Sequence, residues 1–143
     1  MHTLHQILGH KQINEIWSVK PDDTVYQAIQ SMADRRAGAL LVMEGSALTG
    51  IISERDYARE VILKGRSSKD TLVSQIMSAE VVTVASTDSV DTALRIMTQN
   101  LIRHLPVVDD GEVIGVVSIG DLVKDVISDQ QSTIEQLENY IRG

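Results

Sequence analysis

Residues 50–56 read Gly-Ile-Ile-Ser-Glu-Arg-Asp and residues 115–121 read Gly-Val-Val-Ser-Ile-Gly-Asp, the same pattern 65 positions apart. Working outward from this pair, the register holds without a gap from residues 19–57 onto residues 84–122. Ten of those thirty-nine pairs are identical, among them Val19/Val84, Asp23/Asp88, Ala28/Ala93, Met32/Met97 and Val42/Val107. A repeat this regular is one structural unit used twice. Two units are too few for a solenoid, so they are expected to close on each other as a pseudo-symmetric pair.

The hydrophobic period changes in the same order in both copies. Val25, Ala28, Ile29 and Met32 fall at helical spacing, and Val90, Ala93, Leu94 and Met97 repeat it. Asp23-Thr24 and Asp88-Ser89 supply capping oxygens where those helices should begin. Two short apolar runs around Glu44-Gly45-Ser46 predict a β-hairpin, and Asp109-Asp110-Gly111 marks its twin with stronger turn chemistry. Second helices are expected over 54–63 and from Ile119 into the 120s. With short strands at 17–19 and 82–84, each unit reads strand, helix, strand, strand, helix. Residues 64–69 form a polar Gly/Ser connection. Leu72, Val73, Ile76 and Met77 suggest a short helix, echoed by Ile7 and Leu8 at the same offset. The repeats are thus placed at 7–68 and 72–130, with a short N-terminal extension over 1–6 and a helical tail over 131–143. Ile134, Leu137 and Ile141 share one face of that tail, to pack on its own domain or on a second chain.

At 143 residues and 43% hydrophobic, one domain of this size buries roughly 68–70% of the surface its unfolded chain exposes. A single repeat would be marginal. There is no cysteine, which removes disulfides, thiolate nucleophiles and Cys-based metal sites and fits a reducing compartment. No apolar run approaches the ~18–20 residues of a membrane span, and a secretory signal pattern is absent, so a cytoplasmic protein without membrane partners is expected. A net charge of −7 repels polyanions and disfavours nucleic-acid binding. A small phosphate ligand needs a local basic cluster to overcome that field.

The Ser-x-x-Asp step closing each motif has two readings. It is a capping box, in which Ser53 or Ser118 and Asp56 or Asp121 satisfy orphan backbone donors at a helix start. It is also a place where a carboxylate, presented after a strand, accepts hydrogen bonds from two vicinal hydroxyls such as a ribose offers, each worth about 1.5–3 kcal/mol. Spacing alone leaves both open.

The doubled motif, the Arg-His-Leu-Pro-Val-Val-Asp run at 103–109 and the Ser-Glu-Arg-Asp-Tyr-Ala-Arg run at 53–59 together resemble a CBS (cystathionine β-synthase) domain pair, or Bateman module, over residues 7–130. The resemblance implies an α+β fold of two pseudo-symmetric βαββα repeats packed through their small sheets. It also implies an adenosine-containing ligand, such as AMP, ADP, ATP, NAD(H) or S-adenosylmethionine, in clefts between the repeats. Carried over residue by residue, Asp56 and Asp121 hold ribose hydroxyls with Ser53 and Ser118 beside them. The adenine lodges near Val19, Ala39, Val82, Thr83, Leu105 and Pro106. Phosphates meet Arg103 and His104, joined by Arg55, because repeat two has Gly120 where repeat one has Arg55, and repeat one has Gly38-Ala39 where repeat two has Arg103-His104. The family further implies a homodimer and a regulated protein partner.

The function expected is therefore a ligand sensor that signals through conformation or assembly. The alternative is a protein-interaction module whose clefts are vestigial. No catalytic set is present: residues 115–120 are not a G-x-S-x-G elbow, and no Walker-type loop occurs. His2, His5 and His10 lack a paired acid nearby in sequence, and no metal site is expected from them. Met32, Met77 and Met97 read as core.

Overall fold

The computed structural model describes residues 2–10 and 16–142. Helix α1 spans Leu4–His10, β1 Ser18–Val19, α2 Val25–Arg35, β2 Ala39–Glu44, β3 Ala47–Ser53 and α3 Glu54–Tyr57, which runs into a π-helical turn over Ala58–Ile62. Then α4 spans Val73–Ile76, α5 Val90–Asn100, β4 His104–Asp109, β5 Glu112–Ser118 and α6 Ile119–Arg142. The result is an α+β fold, with one sheet ordered β1-β2-β3 and another made of β4 and β5. No helix of the described residues is long and apolar enough to cross a membrane.

The expected 65-residue symmetry holds for α2 and α5, for both hairpins and for the following helix starts. Helix α2 begins because Thr24 caps it: its hydroxyl accepts from Gln27 N–H at 3.1 Å, while the Gln27 side chain accepts from Thr24 N–H at 2.8 Å. Ser89 does the same for α5 by accepting from Thr92 N–H at 3.1 Å. Both helices end on a left-handed residue, Arg36 and Leu101, each at φ 53°. Val25, Ala28 and Met32 bury one face of α2, and Val90, Ala93 and Met97 bury the matching face of α5. Each fully buried Val or Met side chain contributes about 1.5–3 kcal/mol.

In β2–β3 the ladder shifts between Val42 and Met43, and in β4–β5 it shifts between Val107 and Val108. Asp110 and Gly111 both adopt positive φ, 51° and 77°, as a two-residue type I′ hairpin turn requires. Strand β1 runs parallel to β2 through Ser18↔Leu41 and Val19↔Val42. The strand expected at 82–84 is reduced to a single parallel bridge, Val84↔Val107. Its two hydrogen bonds are Val84 N–H to Pro106 O at 3.1 Å and Val108 N–H to Val84 O at 2.7 Å.

The chain divides into two compact units, residues 15–82 and residues 1–14 with 83–143. This division falls differently from the sequence repeats: α4 packs with the first repeat and α1 with the second. In the unit of residues 15–82, Val73 N–H donates to Asp23 O at 2.8 Å and Val25 N–H to Thr71 O at 2.8 Å. In the other, Leu4 N–H donates to Asp88 O at 2.9 Å and Val90 N–H to His2 O at 3.1 Å. Leu4, Ile7 and Leu8 therefore correspond to Val73, Ile76 and Met77, 69 residues on, rather than Ile7 and Leu8 to Leu72 and Val73.

Two glycines record the same correspondence. A Cβ on Gly50 would lie 2.6 Å from Met77 Sδ and 2.9 Å from Ser78 O; on Gly115 it would lie 2.7 Å from Leu8 Cδ2. Each lead-in helix thus presses on a hairpin where only a hydrogen fits.

The second helices differ. After α3, Leu63 N–H bonds Ala58 O at 3.0 Å, five residues back, and Val61 is 2% exposed. In repeat two α6 stays α-helical from Ile119 to Arg142, so the tail expected at 131–143 continues this helix. It does not fold back: Ile134, Leu137 and Ile141 are 55%, 58% and 82% exposed.

Candidate functional site

Strand β3 delivers Ser53 in extended conformation, φ −125° and ψ 165°, to the first turn of α3. Asp56 Oδ2 accepts from Ser53 N–H at 2.9 Å and from Ser53 Oγ at 3.0 Å, and Ser53 Oγ accepts from Asp56 N–H at 3.2 Å. At the end of β5, Asp121 Oδ2 accepts from Ser118 N–H at 2.9 Å, and Ser118 Oγ accepts from Asp121 N–H at 3.2 Å. The capping box is therefore present at both positions.

It does not use up the carboxylate. Every bond to Asp56 falls on Oδ2, and Oδ1 accepts none among the described residues. Asp56 and Asp121 are both half-buried, at a helix N-terminus whose backbone amides favour negative charge.

The neighbouring strand is clamped to each helix start. Glu54 N–H donates to Gly38 O at 3.1 Å, and Ile119 N–H donates to Arg103 O at 2.8 Å. Across the ladder Ala39 pairs with Ser53 and His104 with Ser118. The structure thereby assembles Ser53, Asp56 and Ala39 in one unit, and Ser118, Asp121, Arg103 and His104 in the other. Arg55 and Arg103 are both exposed but belong to different units.

Of the residues expected around adenine, Ala39 and Val82 are half-buried and Thr83 is exposed. Leu105 is 0% and Val19 8% exposed, and Pro106 is buried; Val19 belongs to the apolar core within residues 15–82. Trp17, beside Val19, carries the Arg35 guanidinium 5.2 Å from its ring centroid. Sequence reasoning missed the Ser86–Asp109 pair, in which Asp109 accepts from both the N–H and the hydroxyl of Ser86. Its only signal was an acid at the end of a strand.

The family model described as CBS domain matches residues 11–63 and 73–128. The chain belongs to the CBS domain family. It carries two CBS domains, a regulatory module. The chain is 47% identical over 127 residues to "CBS domain-containing protein CBSX3, mitochondrial" of Arabidopsis thaliana, covering 85% of this chain and 62% of that one. Two further CBS-domain relatives from Arabidopsis are matched over 24% and 23% of their lengths, so the chain spans only part of the length of these three curated relatives. Among solved CBS structures, a putative signal-transduction protein with CBS domains from Burkholderia ambifaria MC40-6 superposes with a TM-score of 0.86 at 50% identity, covering 90% of this chain and 96% of that one. The CBS domain pair of protein MJ0100, in complex with 5′-methylthioadenosine and S-adenosyl-L-methionine, shares the fold at 21% identity and a TM-score of 0.79, covering 90% of this chain and 98% of that one.

Proposed function

We propose that this CBS pair is a regulatory sensor, not an enzyme, that binds an adenosine-containing ligand such as AMP, ADP, ATP or NAD(H). Asp56 and Asp121 receive the ribose hydroxyls, Ser53 and Ser118 flank them, and Arg103, His104 and Arg55 attract phosphate. Ala39, Val82 and Thr83 offer the accessible surface for adenine, with Val19, Leu105 and Pro106 behind it. The observation that carries this reading is the open Oδ1 of Asp56: capping the helix and gripping a diol are compatible roles for one carboxylate. The adenosyl ligands of the MJ0100 pair support the ligand class as one this fold accommodates.

Ligand shifts conformation only by as much as its affinity differs between the two arrangements. We further propose that the sensor works in the cytoplasm, as a homodimer acting on a protein partner. The test is calorimetry with AMP, ATP and NADH, joined to mass spectrometry of any small molecule released on denaturation. Absence of binding by all three, with no adenosyl compound released, rejects the proposal.

The second reading, an interaction module with vestigial clefts, draws on α6. Ile127, Ile134 and Ile141 recur every seven residues, with Val123 four residues before the first and Leu137 between the last two, and all five are exposed; Gln130 takes the seam position between Ile127 and Ile134. Isoleucine at one seam position, with Val, a single polar Gln and Leu at the other, is a self-complementary pattern suited to a two-stranded coiled coil, so the partner this face fits is a second copy of the chain. Such pairing is compatible with ligand sensing.

A further inference from the structure

Repeat two carries two carboxylates where repeat one carries a matched ion pair. On the 65-residue register Glu60 and Lys64 correspond to Asp125 and Asp129. Lys64 Nζ lies 2.5 Å from Glu60 Oε2, one helical turn away. At 125 and 129 both members are acidic, and like charges at this spacing repel. No lysine or arginine among the described residues pairs with either.

What faces them is an imidazole. His2 Nδ1 contacts Asp125 Oδ1 and lies 3.7 Å from Asp129 Oδ1. One potential ligand atom from each of the three residues falls within 4.8 Å of the others. The Asp125 side chain is 8% exposed, His2 35% and Asp129 45%, so the cluster has a buried wall and an open mouth.

Its members are held. Asp125 and Asp129 stand on successive turns of α6, and the His2 carbonyl is fixed by the Val90 N–H at 3.1 Å. Thr3 then bridges Ser89 and Leu4 is fully buried. His10, at the end of α1, places its ring edge-on to His2 with centroids 6.1 Å apart. The fold itself does not ask for an imidazole here. The residue corresponding to His2 is Thr71, whose hydroxyl donates to Ser67 O at 2.7 Å.

We propose that His2, Asp125 and Asp129 bind a divalent transition ion, of which Zn²⁺ is the representative, with His10 at the mouth of the site. An imidazole nitrogen with two carboxylate oxygens is a donor set for zinc and its neighbours, whose bonds run about 2.0–2.2 Å. Ligand atoms already within 4.8 Å of one another close on such an ion by side-chain rotation alone. Calcium and magnesium favour oxygen-only shells, and here one of the three donors is nitrogen. A cation here also supplies the positive charge that Lys64 supplies beside Glu60 in repeat one.

The test is calorimetric titration of Zn²⁺, with Mg²⁺ in parallel, into the metal-free, tag-free chain. The expected result is one Zn²⁺ per chain with a dissociation constant on the order of micromolar or tighter, and no comparable Mg²⁺ binding. His2→Ala and Asp125→Asn should each weaken Zn²⁺ by at least about tenfold, as loss of a direct ligand does. His5→Ala should leave binding unchanged. Asp129→Lys recreates the charge pattern of repeat one, so it should abolish binding while keeping or raising the metal-free melting temperature; that variant separates a lost site from a lost fold. The proposal is overturned if the wild type shows no Zn²⁺ binding at about 100 μM, if it binds Mg²⁺ equally, or if folded Asp129→Lys binds Zn²⁺ as tightly. It is also overturned if His5→Ala costs as much as His2→Ala, which would assign the ion to a loose histidine-bearing terminus.

Discussion

Asp109 accepts two hydrogen bonds from Ser86, one on each carboxylate oxygen: the main-chain N–H at 3.0 Å to Oδ1 and the hydroxyl at 2.5 Å to Oδ2. Repeat one has Pro21 and Glu44 at these places, and proline has no N–H to give. The clasp is private to repeat two. The Ser86 hydroxyl first, and its N–H second, hold the Asp109 carboxyl below its ordinary value of 3.8.

A depressed carboxyl contributes stability that is complete above its unfolded value and is lost as pH falls through its lower folded value. Asp109→Asn should therefore melt below wild type at neutral pH, by a gap that stays constant on acidification until the ordinary value of 3.8 is passed. Below that the two melting curves should converge. Thermal denaturation followed by circular dichroism from about pH 7 to pH 3 measures the gap. A gap that persists undiminished at the acid end rejects the clasp.

The double role proposed for the Ser-x-x-Asp acids separates through two substitutions at one residue. Asp56→Asn keeps an oxygen to accept from Ser53 N–H and should cost little stability, whereas Asp56→Ala removes the cap and should cost about 1 kcal/mol. For nucleotide binding the asparagine variant should already lose about tenfold, because a charged acceptor is exchanged for a neutral one. Calorimetry on both variants decides, and equal affinity for wild type and Asp56→Asn leaves capping as the only role.

The glycines under the lead-in segments should respond unequally. Alanine at 50 meets the Ser78 carbonyl at 2.9 Å as well as the Met77 sulfur at 2.6 Å, whereas alanine at 115 meets only the Leu8 side chain. A flexible side chain yields more readily than backbone. Gly50→Ala is expected to cost more than Gly115→Ala, both within about 1–3 kcal/mol. Leu8→Ala should recover part of the loss at 115, and Met77→Ala little of the loss at 50. Denaturant melts of the four chains test the ranking, which fails if 115 is the more sensitive position.

The exposed stripe of α6 predicts an assembly change without a fold change. Ile134→Glu with Leu137→Glu should leave the melting temperature of dilute protein nearly unaltered, since both side chains are more than half exposed, and should shift sedimenting mass toward the monomer. Identical mass for wild type and variant removes α6 from the dimer contact.

What a local pattern specifies was legible in the chain. The spacing of Val25, Ala28 and Met32 suffices to place α2, and Thr24 suffices to start it. The Ser53–Asp56 and Ser118–Asp121 pairs are likewise local, and both form. Less legible was anything that depends on residues far apart in sequence. The true partner of Gly115 is Leu8, and an ungapped comparison misses the four-residue difference between the two lead-ins. Those added residues fall in or near residues 11–15, outside the described residues. Burial of Leu105 and Val19 was likewise hidden, because a strand's alternation does not say which face meets a ligand and which meets the core. The widened turn at 58–62 has no signal we recognise in Ala-Arg-Glu-Val-Ile. The union of His2 with Asp125 joins residues 123 positions apart, and no spacing rule reaches that far.

One unit is contiguous along the chain and the other is not. On a ribosome, where the N-terminus emerges first, residues 15–82 have all their partners once they are outside the tunnel. Leu4, Ile7 and Leu8 must wait for the last strand of the second hairpin. A cell making this protein therefore holds Leu4, Ile7 and Leu8 unpacked until residues 112–118 have emerged, an interval in which unpaired apolar surface invites aggregation or chaperone capture.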